Sequence, residues 1–278
     1  MHIKTPAKVN LCLDITAKRP DGYHELCMIM QEIPLYDDIT VENADEITVS
    51  CNLPYIPCNE TNLAHKAAVA FFEYTKIPGG AKIFLQKNIP SGAGLGGGSS
   101  NAAGVITALN EIYEAGLSTS ECMEIGTKIG ADVPYFMLGG TCLAEGIGEK
   151  LTMLMSNFSC RIVLAKPPFS VSTKWAYQNF DINSVTHRPD TKAMISALRC
   201  NDLQAVADNM INVLELPVIS QYLSIEKYKK TMLNHGAINS IMTGSGSAVF
   251  GLFDDEERAV RCCEALNEGS EKTWMLKI

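Results

Sequence analysis

Pro90-Ser91-Gly92-Ala93-Gly94-Leu95-Gly96-Gly97-Gly98-Ser99-Ser100 sets five glycines among eleven residues. Before it, residues 82–87 read as a strand with Ile83 and Leu85 on one side. After it, Val105, Ala108, Leu109 and Ile112 recur at helical spacing to about Ala115, where Gly116 suits a C-terminal cap. Glycine costs backbone entropy, so a cluster of it belongs where main-chain amides must approach a ligand closely. The helix that follows offers unpaired N–H groups and the positive end of its dipole, which suits phosphate. A flexible surface linker is the alternative, and it fits poorly against the start of a long, well-patterned helix.

The loop belongs to none of the common phosphate motifs. Gly92-x-Gly94-x-x-Gly97 matches the dinucleotide fingerprint, which also needs an acid ~20 residues on, at the end of the next strand. The nearest acids, Glu111 and Glu114, lie inside the helical pattern instead. Walker A requires Gly-Lys-Ser/Thr, and no lysine occurs between 88 and 127. The HRD and DFG signatures of protein kinases are missing too. Amides, hydroxyls and a helix dipole would therefore hold the phosphate, with positive charge supplied from elsewhere. Mg²⁺ is the natural source, and Ser99 or Ser100 its candidate ligand, Ser99 foremost.

Outward from the loop, the first third reads as β-rich. Val9, Leu11, Leu13 and Ile15 alternate with Asn10, Cys12, Asp14 and Thr16, the pattern of a half-buried strand. Short β-prone pieces follow at 39–41 and 46–51, and a helix at 62–74 with Thr61 or Asn62 as its cap. Ser118 with Glu121 forms a capping box for a helix running to about Ile129. The second half predicts strands at 162–165, 238–242, 248–252 and 274–277. Between them fall helices at 173–179, 192–199, 203–210, 219–233 and 256–266. This is an α+β chain in two lobes, divided near 153–157 into residues 1–155 and 156–278.

Composition narrows the classes. The 278 residues are 46% hydrophobic, ordinary for a chain with a buried core. Net charge is −8, and all the excess acid lies in residues 1–150, with 10 Lys+Arg against 18 Asp+Glu. A nucleic-acid surface wants the opposite sign, so DNA or RNA partners are disfavoured. No stretch approaches the ~20 apolar residues of a membrane span, and no apolar signal core opens the chain. A cytoplasmic protein is expected. The 10 cysteines include no CxxC pair and the five histidines are scattered, so reduced, mostly buried thiols and no structural metal are expected.

Three further segments stand out. Pro6-Ala7-Lys8-Val9-Asn10 starts an otherwise apolar strand with a lysine and an amide. Gly130-Ala131-Asp132-Val133-Pro134 sets one carboxylate in an apolar stretch, and Thr243-Gly244-Ser245-Gly246-Ser247 forms a second small-residue turn. Singly, Lys8 could snorkel, Asp132 could cap a helix starting at Pro134, and the Gly-Ser turn could close a hairpin. In this order, the three segments and the glycine run resemble the GHMP kinases of small metabolites. Arg19-Pro20-Asp21-Gly22-Tyr23-His24-Glu25-Leu26 picks out the branch whose acceptor carries a cytidyl diphosphate, in the non-mevalonate route to isoprenoid precursors. The resemblance runs from about Lys4 to about Phe253 and leaves residues 180–235 unmatched.

The resemblance implies two α+β lobes with the active site in the cleft between them, and an ATP-dependent small-molecule kinase acting on an alcohol. ATP would lie against residues 90–100. Asp132 would be the base that takes the proton of a hindered tertiary hydroxyl. Lys8 would stand beside it, keeping the carboxylate ionised and steadying the transferring phosphoryl group. Asn10 would hydrogen-bond the substrate, Tyr23 and His24 would stack on and hydrogen-bond the cytosine, and Tyr177 would cover its other face. Gly244 and Ser245 would support the glycine loop and the substrate phosphates. The runner-up is a relative acting on homoserine or mevalonate. A nucleotide-binding protein without turnover is the alternative of another class, and it should lack the lysine or the aspartate.

Overall fold

The computed structural model describes residues 1–267 and 272–278. Two long strands, β1 (His2–Lys18) and β2 (His24–Ala44), pair with each other around a turn in which Arg19 N donates to Tyr23 O at 2.8 Å. Gly22 takes a left-handed φ of 88° there. The alternation at 9–16 lies within β1, but the strand is not half-buried: residues 7–15 are buried on both faces. Its polar members are tolerated inside because they are paired, as when Arg188 Nη1 donates to Asp14 Oδ1 at 2.5 Å.

The chain divides into two compact units, each assembled from three segments: Met1–Ala7, Leu35–Pro90 and Gly96–Gly139 in the first, Lys8–Pro34, Ser91–Leu95 and Gly140–Ile278 in the second. The single boundary expected at 153–157 is thus corrected. Both β1 and β2 are long enough to contribute residues to each unit, so no one cut in the sequence separates them.

The first unit holds β3 (Thr48–Cys51), α1 (Leu63–Thr75), β4 (Gly80–Gln86), α2 (Gly97–Ile112), α3 (Thr119–Ile129) and the short α4 (Tyr135–Leu138). Residues 38–44 of β2 run antiparallel to β4, and β3 lies parallel on its other edge. Asn62 caps α1 by accepting from Ala64 N at 2.9 Å, and both halves of the Ser118–Glu121 capping box form at α3. The α2 helix stops at Ile112, short of the expected Ala115. Glu114 turns left-handed at φ 48°, and the Asn110 amide ties the outgoing chain at Leu117. Phe71, Ile83, Val105, Ile106 and Leu109 fill the core beneath these helices.

The second unit has two sheets. Residues 26–31 of β2 run antiparallel to β5 (Thr141–Gly146), which pairs in turn with β6 (Lys150–Met153). The other sheet is wholly antiparallel, in the order β10-β7-β9-β8, from β7 (Arg161–Lys166), β8 (Asn239–Met242), β9 (Val249–Phe253) and β10 (Lys272–Lys277). Its helices are α5 (Thr173–Gln178), α6 (Thr191–Cys200), α7 (Leu203–Asp208), α8 (Glu215–Gln221), α9 (Ser224–Asn234) and α10 (Glu256–Asn267). One helix was expected over 219–233; the chain breaks at Tyr222, whose ring stacks on Phe169 with centroids 4.6 Å apart. Five of the ten cysteines are buried, and burial pushes the Cys12, Cys160 and Cys262 thiols up to about 12. No described helix is long and apolar enough to cross a membrane.

Candidate active site

Three segments far apart in sequence meet in the second unit. On β1, residues two apart face the same way, which puts Lys8 and Asn10 together. Lys8 Nζ donates to Asn10 Oδ1 at 2.5 Å, with the two residues only 3% and 1% exposed. A lysine this deep does not snorkel. Its main chain reaches the glycine loop, Lys8 N donating to Leu95 O at 3.0 Å. Asn10 N donates to Thr243 Oγ1 at 3.0 Å, and Ala248 N donates to Ala93 O at 3.1 Å. The strand, residues 91–95 of the loop and the 243–247 turn are therefore tied pairwise.

Glycine is required at the crossing. Gly94 sits at φ 76°, and a Cβ there would lie 2.2 Å from the Thr243 carbonyl oxygen. Gly244, at φ 55°, has space for a Cβ only 3.1 Å from Gly94 O and 3.4 Å from Asn10 Oδ1. The nearest atoms, Thr243 O at Gly94 and Gly94 O at Gly244, are main chain and cannot swing away. The turn is a hairpin link between β8 and β9, as the plain reading allows, but one whose backbone is pressed onto the loop. Ser245 Oγ and Thr173 Oγ1 share a hydrogen bond of 2.9 Å, and Ser247 Oγ donates to Phe169 O at 2.5 Å.

In the first unit, the loop continues through Gly96 into α2. Gly96 is the N-cap at φ 73° and makes no side-chain cap bond, and no acid occupies the first turn. The opening amides of Gly97, Gly98 and Ser99 thus keep their donors for an anion. Ser100 Oγ is buried with no hydrogen-bond partner among the described residues. An orphaned hydroxyl in a glycine-lined helix start fits a bound phosphate and its counter-ion. Among the described residues no three His, Cys, Asp or Glu side chains gather to hold a metal. A Mg²⁺ held here would therefore rest on hydroxyls such as Ser99 and on the nucleotide itself.

Beneath that helix start lies a polar network that sequence reasoning missed. Lys87 pairs with the fully buried Asp37 and donates to Asn101 Oδ1 at 2.8 Å. Asp37 Oδ1 also accepts from the amides of Asn88 and Ile89, at 2.7 and 2.8 Å, which sets the chain leading into Pro90. A Cβ at Gly97 would lie 3.2 Å from Lys87 Nζ. Contacts with Asp37, fifty residues upstream, and with Asn101 distinguish Lys87 from a surface lysine, and periodicity carries no such signal.

Asp132 lies in the first unit, partly buried, between Gly130 and Pro134. The α4 helix starts at Tyr135 with Pro134 as its N-cap and no side-chain cap bond, so the plain reading of Asp132 as its cap is removed. Elsewhere in the second unit, the His24 ring lies 5.5 Å from that of Tyr177, tilted by 35°, and 6.3 Å edge-on from Phe180. Burial, with Lys18 nearby, pulls the His24 imidazole below its ordinary value. Tyr23 is 61% exposed on the turn, held by its amide to Asp21 Oδ1 at 3.0 Å. Phe180 was not anticipated, because it falls in the unmatched 180–235 stretch.

Residues 62–140 match the GHMP kinases N terminal domain and residues 194–272 the GHMP kinases C terminal. A 4-diphosphocytidyl-2-C-methyl-D-erythritol kinase of Clostridium botulinum (strain Eklund 17B / Type B) is 46% identical over 269 residues, which is 96% of each chain. A crystal structure of 4-(cytidine 5'-diphospho)-2C-methyl-D-erythritol kinase superposes with a TM-score of 0.84 at 34% identity, over 100% of this chain and 98% of that one. A homoserine kinase from Cytophaga hutchinsonii ATCC 33406 gives a TM-score of 0.80, over 99% of this chain and 94% of that one. Its 17% identity makes that a likeness of fold alone. The chain is a small-molecule kinase, and it belongs to the 4-diphosphocytidyl-2-C-methyl-D-erythritol kinase family of the GHMP kinases.

Proposed function

We propose that the chain transfers the γ-phosphoryl group of ATP to the 2-hydroxyl of 4-diphosphocytidyl-2-C-methyl-D-erythritol. A new O–P bond forms to the tertiary oxygen, the bond from phosphorus to the β–γ bridging oxygen breaks, and ADP leaves. Asp132 takes the hydroxyl proton as that bond forms. Lys8 offers a fixed positive charge to the transferring group, and Asn10, which holds the Lys8 ammonium, also hydrogen-bonds the substrate. Backbone amides from the glycine run hold the ATP phosphates, with Gly244 and Ser245 on the substrate side. Mg²⁺ bound through Ser99 and the nucleotide would neutralise phosphate charge. The observation that carries the cytidyl acceptor is the ring cluster of His24, Tyr177 and Phe180. Homoserine and mevalonate have no base to stack there.

A coupled assay for ADP release, run with the cytidyl substrate, homoserine and mevalonate, tests the assignment. Turnover with the cytidyl substrate at least tenfold above the other two is expected; preference for either small alcohol would overturn it, and no ADP with any would mean binding without catalysis.

The base site makes its own prediction. Stacking is worth ~1–3 kcal/mol per aromatic face, so Tyr23→Ala weakens the cytidyl substrate roughly 5–150-fold and leaves ATP within about twofold. The depressed His24 imidazole is neutral at pH 7 and can both donate and accept. Protonation removes its acceptor, so cytidyl affinity falls on acidification, at a pH below the ~6.5 of an exposed histidine, with no matching fall for ATP. His24→Ala abolishes that pH step and erodes the preference for cytidine over uridine. Titrations of both nucleotides across pH 5–8 decide it. Equal losses for ATP and the cytidyl substrate would make the pair structural.

A further inference from the structure

We propose that Asn212 and Glu215 are positioning residues for the phosphate site, bracing the 243–247 turn that backs the glycine loop. The inference rests on reading that loop and turn as the phosphate site. It concerns residues 212 and 215, outside every site motif quoted from the sequence.

The brace is polar throughout. Asn212, 2% exposed, spends both amide hydrogens on the turn, donating to Met242 O at 2.7 Å and Gly244 O at 2.8 Å. Its Oδ1 accepts from Leu214 N at 3.0 Å, so both amide hydrogens and the oxygen are engaged. Glu215 Oε1 accepts from Met242 N at 2.6 Å, while Oε2 pairs with Lys229 Nζ at 2.5 Å. Met242 therefore has both its N–H and its C=O held by side chains of one short segment. Burial pushes the Glu215 carboxyl up, and Lys229 and the Met242 amide oppose that rise.

The other end of the brace is fixed to β1, the strand that carries Lys8 and Asn10. Leu13 N donates to Ile211 O at 2.9 Å, and Val213 N donates to Leu13 O at 3.0 Å. Segment 211–215 thus spans from that strand to the turn. Any slip of the turn reaches the loop directly, since Thr243 O faces Gly94 across glycine-only space and Ala248 N donates to Ala93 O. An apolar side chain at 212 would fill similar volume but leave two buried carbonyls without donors. A core residue needs only to fill space; this one sets a position.

The test compares Asn212→Leu, Glu215→Met and Glu215→Gln in the full chain, with ATP-analogue affinity and kcat read well below each melting temperature. A misplacement of about 1 Å in a reacting site can cost ~10²-fold. Asn212→Leu is expected to weaken the analogue and lower kcat by about 10-fold or more, and Glu215→Met by about fivefold or more. Glu215→Gln keeps an acceptor for Met242 N–H and should stay within about threefold, a rescue that a purely stabilising ion pair would not give. Should Asn212→Leu fail to fold, the Met/Gln pair at 215 still decides. Folded variants that bind within twofold of the natural protein, or Met and Gln falling equally, overturn the proposal. Failure of the unaltered chain to bind the analogue would instead remove the phosphate-site reading beneath it.

Discussion

Asp132→Asn is expected to cut kcat by about 10²-fold or more while the ATP analogue binds within twofold, the scale on which a positioned general base acts. The amide keeps the shape of the carboxylate and cannot take a proton, so the loss should appear in kcat and not in KM for either substrate. Its stability cost should be small. Because α4 begins at Tyr135, behind a Pro134 N-cap and without a side-chain cap bond, Asp132 carries no helix-capping duty whose loss would unfold the segment. Steady-state kinetics with melting curves separate the cases: near-natural kcat in a folded variant would leave Asp132 without a catalytic role.

Gly94→Ala is the second large effect, and it falls on binding. An alanine at φ 76° pays about 1–2 kcal/mol for a left-handed backbone, before its Cβ meets the Thr243 carbonyl 2.2 Å away. Both sides of that contact are main chain, so relief means moving the loop out of its shape. Nucleotide binding must then reimpose the strain, and a total of about 3 kcal/mol appears as roughly a 10²-fold loss of ATP-analogue affinity. Gly98→Ala is the control from the same run. Its Cβ would stand 3.4 Å from Leu63 Cδ1, an ordinary contact, so affinity should stay within about threefold. Equal behaviour of the two variants by calorimetric titration would mean that the run is a linker.

Local signals were legible in the sequence wherever their physics is local. The Ser118–Glu121 box and the Asn62 cap depend on residues two or three apart, and both form as read. The β2 strand shows the opposite. Only 39–41 was recognised out of His24–Ala44, because Pro34, Asp37 and Asp38 break the alternation; Asp37 is buried there by partners at 87–89 and 101. The β5 and β6 strands also went unread, since β5 pairs with a strand more than a hundred residues upstream. Within the site, Lys8, Asn10, the loop and the Gly-Ser turn announce themselves by odd composition. Lys87, Asn212 and Glu215 do not, because a buried polar residue is written in the same letters as an exposed one.

The interleaving of the two units sets the order in which a newly made chain can complete them. The first unit lacks nothing once Gly139 has been synthesised. The second begins earlier, with Lys8–Pro34, yet those strand residues wait for β5 at 141–146, and β7 waits for β10 at the far end of the chain. Pairings of such separation close large loops before any contact rewards them, which slows folding and leaves strand edges uncovered meanwhile. During synthesis, residues 8–34 therefore form a two-stranded, largely apolar ribbon whose β2 edge stays uncovered until β5 arrives. Protein broken off between residues 166 and 272 lacks a central strand's partner, so such products should aggregate instead of lingering as half-enzymes.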